Sequence, residues 1–200
     1  MYPRFLKRSL DVFGSCAGIL CIAPLLPFII LAIKLDSRGP VLAKIKRISG
    51  GRYFLIYKFR TMVKDAHAMK KDLTHLNERA DGPFFKIKHD PRLTRTGKIL
   101  RKFRIDEFPQ LINVLKGELT LVGPRAHEPE EVEQYPKEFQ HIIFAKAGVT
   151  GLSQISGASA LPFLEELRLD SHYLGNQTLK EDIRIIGKTI QIIFTDASAV

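Results

Sequence analysis

The densest run of reactive side chains is Arg101-Lys102-Phe103-Arg104-Ile105-Asp106-Glu107-Phe108-Pro109. An aspartate set among arginines suits covalent phosphoryl transfer. Guanidinium groups bind phosphate oxygens bidentately, and a carboxylate that attacks phosphorus gives an acyl phosphate. Arg101, Arg104 and, further along, Arg125 supply the cations. Glu107 is a hard oxygen donor beside Asp106, and one or two carboxylates commonly hold Mg²⁺ against a diphosphate. A plainer role competes for the same pair. Pro109 belongs in the first turn of a helix, where carboxylates are stabilised by free backbone N–H groups and the helix dipole. The spacing alone leaves capping and catalysis both open.

The order of motifs is more specific than any one of them. Lys58-Phe-Arg60-Thr-Met62 is followed by Asp90-Pro-Arg92-x-Thr94-x-x-Gly97. Then come Asp106-Glu107-x-Pro109-Gln110-x-x-Asn113-Val-Leu-x-Gly117 and Val122-Gly-Pro-Arg125. This succession resembles the bacterial sugar transferase family, the monotopic phosphoglycosyl transferases that begin assembly of capsules, exopolysaccharides, O-antigens and glycoprotein glycans. The resemblance extends from Lys7-Arg8-x-x-Asp11 through Gly148-x-Thr-Gly151-Leu-x-Gln154 to the tail, nearly the whole chain.

The resemblance implies an enzyme that transfers a sugar-1-phosphate from a UDP-sugar to undecaprenyl phosphate. Asp106 would be the nucleophile, forming a covalent phosphosugar intermediate with release of UMP, and the lipid phosphate would then attack that intermediate. It further implies that Glu107 assists through Mg²⁺ and that Arg101 and Arg125 bind phosphate. Lys58 and Arg60 lie in the motif beside the site. Asp170 and Asp182 match acidic positions of the family's C-terminal region. A lipid-headgroup contact or simple solubility is the alternative for each basic residue, and a helix N-cap before Ile183 is the alternative for Asp182. Ala126-His127 after Arg125, and Ile155-Ser156-Gly157-Ala158 after Gln154, depart from the family's usual residues. So do Ile45 and Ser49 in the Gly-rich hairpin. These departures bear on specificity rather than on Asp106 or Glu107.

The chain must bring these residues to a membrane surface. Residues 12–33 carry no ionisable side chain except the thiols of Cys16 and Cys21. At about 1.5 Å per residue, a helix of that length would cross a hydrocarbon core of about 30 Å. A signal peptide is disfavoured, because no small-residue cleavage site follows the run. Pro24 and Pro27 fall at its middle, where each removes a backbone hydrogen bond. Arg4, Lys7 and Arg8 before it and Lys34, Arg38, Lys44, Lys46 and Arg47 after it place positive charge on both flanks. Positive flanks prefer the cytoplasmic side, so a re-entrant helix kinked at the prolines is expected in preference to a spanning one, and the resemblance to the family implies that its break falls at Ala23-Pro24.

Beyond it, residues 41–48 and 53–59 read as a hairpin around Ser49-Gly50-Gly51. Residues 63–79 carry Ala66, Met69, Leu73 and Leu76 at helical spacing. Residues 98–104 and 107–116 read as helices, the second ended by Gly117. Residues 119–122 read as a strand, and 161–169 and 183–194 as helices, the last with an apolar stripe suited to a membrane interface or a core. The expected fold is α/β mixed and helix-dominated. A membrane-embedded segment, residues 1–38, precedes a cytoplasmic-face catalytic domain, residues 39–200, with one short antiparallel hairpin and interfacial amphipathic helices.

Two hundred residues make one ordinary domain, the length of a minimal catalytic form without further membrane helices. The formal net charge of +10 calls for an anionic partner. Nucleic acid is disfavoured, since Asp-Glu among the arginines would repel a phosphodiester backbone and stacking platforms are lacking. Anionic lipids, the UDP-sugar and undecaprenyl phosphate remain, at the bacterial inner membrane. A membrane-tethered basic module for anionic lipid or nucleic acid is the non-enzymatic alternative, and an aspartyl-phosphate hydrolase a second. Monomer and homodimer are both left open.

Overall fold

The computed structural model describes residues 2–157 and 160–195. The apolar segment forms α1 (Arg4–Ile22) and α2 (Leu26–Asp36), separated by a 3-10 turn over Ala23–Leu25 that places the break at Pro24. Both arms lie against the rest of the protein. On α1, buried Asp11 accepts from the Thr120 hydroxyl at 2.8 Å and the Leu121 N–H at 2.8 Å. Arg8 donates to the carbonyls of Val114 and Leu115 at 2.6 and 2.7 Å. From α2, Asp36 accepts the Thr96 N–H at 2.7 Å. Ile22, Ile29 and Ile33 share a buried cluster with Phe59 and Leu100, each such side chain contributing about 1.5–3 kcal/mol. The opposite face exposes Phe13, Leu20, Phe28, Leu31 and Leu35.

The hairpin is present as β1 (Leu42–Ser49) and β2 (Arg52–Phe59), antiparallel with Ser49 opposite Arg52 across Gly50-Gly51. After β2 the chain pairs with the stretch leading into α3 (Arg95–Lys102). Val63 N–H donates to Arg92 O at 2.9 Å and Thr94 N–H to Thr61 O at 3.0 Å. The helix expected over residues 63–79 is absent. Asp65 takes a positive φ of 61°, and only 3-10 turns over Ala68–Lys70 and Thr74–Leu76 follow. Ala66 is buried but Met69 and Leu76 are exposed, so the spaced apolar residues have no common core to face.

α4 (Gln110–Lys116) ends at Gly117, whose φ of 79° is the left-handed cap expected there. β3 (Thr120–Val122) pairs in parallel with β4 (Gly148–Thr150), a second small sheet beyond the single antiparallel one expected. Each strand is three residues long, too short for alternation to show in β4. α5 (Pro129–Val132), a 3-10 stretch over Lys137–Phe144 and α6 (Leu152–Ser156) connect to α7 (Phe163–Gly175) and α8 (Leu179–Thr195). α8 shows Ile183, Ile190 and Phe194 to the outside while Ile185 is buried with Val122 and Tyr173. Ala158, one of the specificity departures, lies outside the described residues.

Candidate active site

Asp106 and Glu107 sit on a one-turn 3-10 helix, Ile105–Glu107, between α3 and α4. The preceding residue, Arg104, turns the chain with a φ of 53°, a conformation uncommon outside glycine. No side chain caps α4, and its N-cap residue is Pro109 itself. The capping role open to the two carboxylates from the sequence is therefore not the one they have. Both instead face cations from neighbouring elements.

Lys58 lies on the hairpin face that also carries buried Ile56, following the two-residue period of a strand. Its ammonium donates to Glu107 Oε1 at 2.6 Å. Arg101 arrives on the last turn of α3, its Nε–H donating to Thr61 Oγ1 at 3.1 Å. Asp106 is 7% exposed. Burial pushes its carboxyl up to about 6; the Lys58 and Arg101 charges pull it back while neighbouring Glu107 adds to the rise. Glu107 is partly exposed. Burial pushes it up too, but Lys58, Arg125 and Arg104 outweigh that and hold it below the ordinary carboxylate range. The pair thus holds one reluctant and one committed anion on a single turn, a separation typical of working sites.

Lys58 touches Glu107, and the charges of Lys58 and Arg101 act on Asp106 and that of Arg125 on Glu107. Arg125 is exposed, its backbone N–H held by Asp170 Oδ2 at 2.9 Å. Asp170 is 1% exposed and also accepts from Ser153 Oγ at 2.7 Å. Burial pushes its carboxyl up to about 6, against the pull of those two donors. Arg60 points elsewhere: it donates to Ser37 O at 2.5 Å and Ile33 O at 3.3 Å, closing the C-terminal end of α2. Asp182 is also apart from that cluster. It is fully buried in the first turn of α8 and accepts from Lys7 at 2.5 Å and Tyr173 at 2.6 Å. It is not the N-cap, since α8 begins at Leu179 and Thr178 Oγ1 accepts the Glu181 N–H at 3.1 Å.

The bacterial sugar transferase pattern matches residues 2–196. The chain belongs to the bacterial sugar transferase family. Among its relatives, an undecaprenyl-phosphate galactose phosphotransferase of Salmonella typhimurium is 37% identical over 95% of this chain and 40% of its own length. A UDP-N-acetylgalactosamine-undecaprenyl-phosphate N-acetylgalactosaminephosphotransferase of Aeromonas hydrophila is 35% identical, over 98% of this chain and 45% of its own. The exopolysaccharide production protein PSS of Rhizobium leguminosarum bv. phaseoli is 38% identical over 92% and 93%. The chain thus spans less than half the length of the first two and nearly all of the third.

In this sugar transferase two further residues act on the neighbours of the site: Thr61 orients Arg101, and Glu166 holds the ring of His127. His127 Nε2 lies 2.6 Å from Glu166 Oε1, both side chains buried. Thr61 lies in the Lys58–Met62 motif but carries no charge, and Glu166 has no motif around it. A magnesium ion fits the donor set. Asp106 and Glu107 are adjacent hard anions whose mutual repulsion a dication would relieve, and Mg²⁺ asks for only one or two carboxylates when phosphates complete its shell. Among the described residues no group of three or more His, Cys, Asp and Glu forms a closed metal cage, so the substrate would have to complete the site.

Proposed function

We propose that this sugar transferase moves a sugar-1-phosphate from a UDP-sugar to undecaprenyl phosphate through Asp106. The observation that carries the reading is a buried Asp106 flanked by Lys58 and Arg101, with Glu107 on the same turn. The ionised Asp106 oxygen attacks the phosphorus that bears the sugar. The bond from that phosphorus to the bridging oxygen breaks, and UMP leaves with the electron pair. A phosphate oxygen of undecaprenyl phosphate then attacks the aspartyl phosphosugar, forming the lipid diphosphate and restoring the carboxylate.

Lys58 and Arg101 hold the nucleophile ionised, and Arg125, exposed beside Glu107, receives phosphate oxygens. Glu107 would hold Mg²⁺, which supplies charge neutralisation at the diphosphate. Burial of Asp106 limits access of water to the acyl phosphate, which favours transfer over hydrolysis. The names of the relatives, among them a galactose and an N-acetylgalactosamine phosphotransferase, make galactose-type UDP-sugars the first donors to test.

The membrane reading follows from α1 and α2. Their outward Phe13, Leu20, Phe28 and Leu35 are each more than two-thirds exposed, a surface that hydrocarbon would cover. Arg8 and Asp36, near opposite ends of the pair, are both tied to the same body. We propose that the helix enters and leaves the inner membrane on its cytoplasmic face. In a variant with Cys16 and Cys21 replaced by alanine, Arg4→Cys and Arg38→Cys should react with an impermeant maleimide from that one face. Labelling from opposite faces would show a spanning helix.

The activity is tested by UMP release from a panel of UDP-sugars with undecaprenyl phosphate and Mg²⁺. Lipid-dependent release that Asp106→Asn abolishes is the expected result. No release from any donor, or full activity without Asp106, overturns the reading in favour of an anion-binding module. Release without lipid indicates a hydrolase.

A further inference from the structure

Asn113 is buried at 0% exposure on α4, and its side chain makes three hydrogen bonds, two of them to backbone. Its Oδ1 accepts the Tyr57 N–H at 3.0 Å, and its Nδ2 donates to Leu55 O at 2.8 Å and to Glu118 Oε2 at 2.7 Å. The Leu55 carbonyl and Tyr57 N–H belong to the edge of β2 turned away from β1. On the side facing β1, the paired residues are those opposite Arg47, Ile45 and Ala43, namely Phe54, Ile56 and Lys58. The amide of Asn113 therefore stands where a third strand would stand, and it fixes β2 to α4 at the two peptide groups just ahead of Lys58.

The same helix α4 follows directly on the turn that carries Asp106 and Glu107. One amide thus joins the element presenting the cation to the element presenting the anions. We propose that Asn113 is a positioning residue: by gripping β2 at Leu55 and Tyr57 it holds Lys58 against Glu107 and within reach of Asp106. This rests on the reading of Asp106 as the nucleophile, but its first test needs no turnover.

Only an amide satisfies the three partners, because one side of the group must accept and the other must donate twice. Aspartate reproduces the pattern only when protonated, with its carbonyl toward the Tyr57 N–H and its hydroxyl toward Leu55 O. Once ionised it would face both that carbonyl and the Glu118 carboxylate. The charged groups acting on Asp106 itself are Lys58 from β2, Arg101 from α3 and Glu107 from its own turn. Arg104 and Arg125 act on Glu107.

Carbodiimide cross-linking of the purified full chain reads the contact directly, because an isopeptide bond between Lys58 and Glu107 forms only while the ammonium rests on the carboxylate. Peptide mass spectrometry counts that bond, and Asn113→Ala should lower its yield severalfold. In UMP release, Asn113→Ala and Lys58→Met should each lower kcat/KM, and the double variant should lose little more than Lys58→Met alone. Asn113→Asp should lose activity as pH rises and its own carboxyl ionises. An unchanged cross-link yield in Asn113→Ala, or additive losses in the double variant, overturns the proposal. If Asn113→Ala does not fold, Asn113→Asp decides alone, and a wild-type profile there overturns it. A lowered yield in a protein that releases no UMP would uphold the positioning and sink the reaction.

Discussion

Lys7, near the start of α1, and Asp182, in the first turn of α8, form a 2.5 Å ion pair across almost the whole chain. Tyr173 donates to the same carboxylate at 2.6 Å, and Lys7 also donates to Val122 O at 2.7 Å on β3. One fully buried anion thereby joins the apolar N-terminal arm, the parallel sheet and the last two helices.

Breaking such a pair leaves an uncompensated charge, which costs about 3–5 kcal/mol. Lys7→Met is therefore expected to destabilise the protein by about that much. Asp182→Asn should cost less, because the stranded Lys7 is 16% exposed and keeps the Val122 carbonyl, whereas a stranded Asp182 is fully buried. Chemical denaturation in detergent, followed at the tyrosines, separates the two. Equal losses would mean that the charge itself contributes little.

Much of this site was legible in the sequence and part was not. Asp106, Glu107, Lys58, Arg101 and Arg125 were named through the motif order that resembles the family, and Lys58 does meet Glu107 in the structure. The break at Pro24 and the cap at Gly117 were found because each residue has a strong backbone preference. The destinations of Arg60 and Asp182 were not readable. Side chains with the same charge can serve a helix end, a buried bridge or a phosphate, and only tertiary placement decides which. The failed helix over residues 63–79 has the same origin: spacing reports a face, and nothing in the sequence says whether a core awaits it.

Asp170 presents a buried acceptor to the Arg125 N–H and the Ser153 hydroxyl. Asp170→Ala removes both acceptors, so the Arg125 N–H and the Ser153 hydroxyl each lose that partner. A hydrogen bond to a charged group is worth about 1.5–3 kcal/mol, and the loop bearing Arg125 should loosen. The expected result is a rise of roughly tenfold in KM for the nucleotide-sugar with a smaller change in kcat. A fall in kcat with KM unchanged would place Asp170 in the chemical step.

Gly97 sits in the first turn of α3 under the segment that carries Thr61. A methyl group there would lie 2.0 Å from Thr61 O, a backbone atom that cannot swing aside. Gly97→Ala should push α3 off that segment at a cost of about 1–3 kcal/mol or more. It should also break the bond from Arg101 Nε to Thr61 Oγ1, present at 3.1 Å. Thermal melts and UMP release should fall together. A stable Gly97→Ala protein with full activity would show that α3 can shift without moving Arg101.

Asp106 links activity and stability with opposite signs. As the attacking group it must be ionised, so UMP release should rise with pH through about 6, the value to which burial pushes its carboxyl. Stability runs the other way. The folded-state value lies above the ordinary 3.8, so the native state binds the proton more tightly than the unfolded chain. The stabilisation is complete below the ordinary value and is lost as pH rises through about 6. Asp106→Asn carries no charge at any pH and should be inactive but more stable than wild type. The difference should be small near about pH 4 and full by about pH 8. Asp170, shifted in the same direction, is present in both proteins and cancels from the comparison. Denaturation midpoints at the two pH values supply the test: a difference that does not grow with pH would mean that ionised Asp106 is held without strain, its cations offsetting the whole cost of burial.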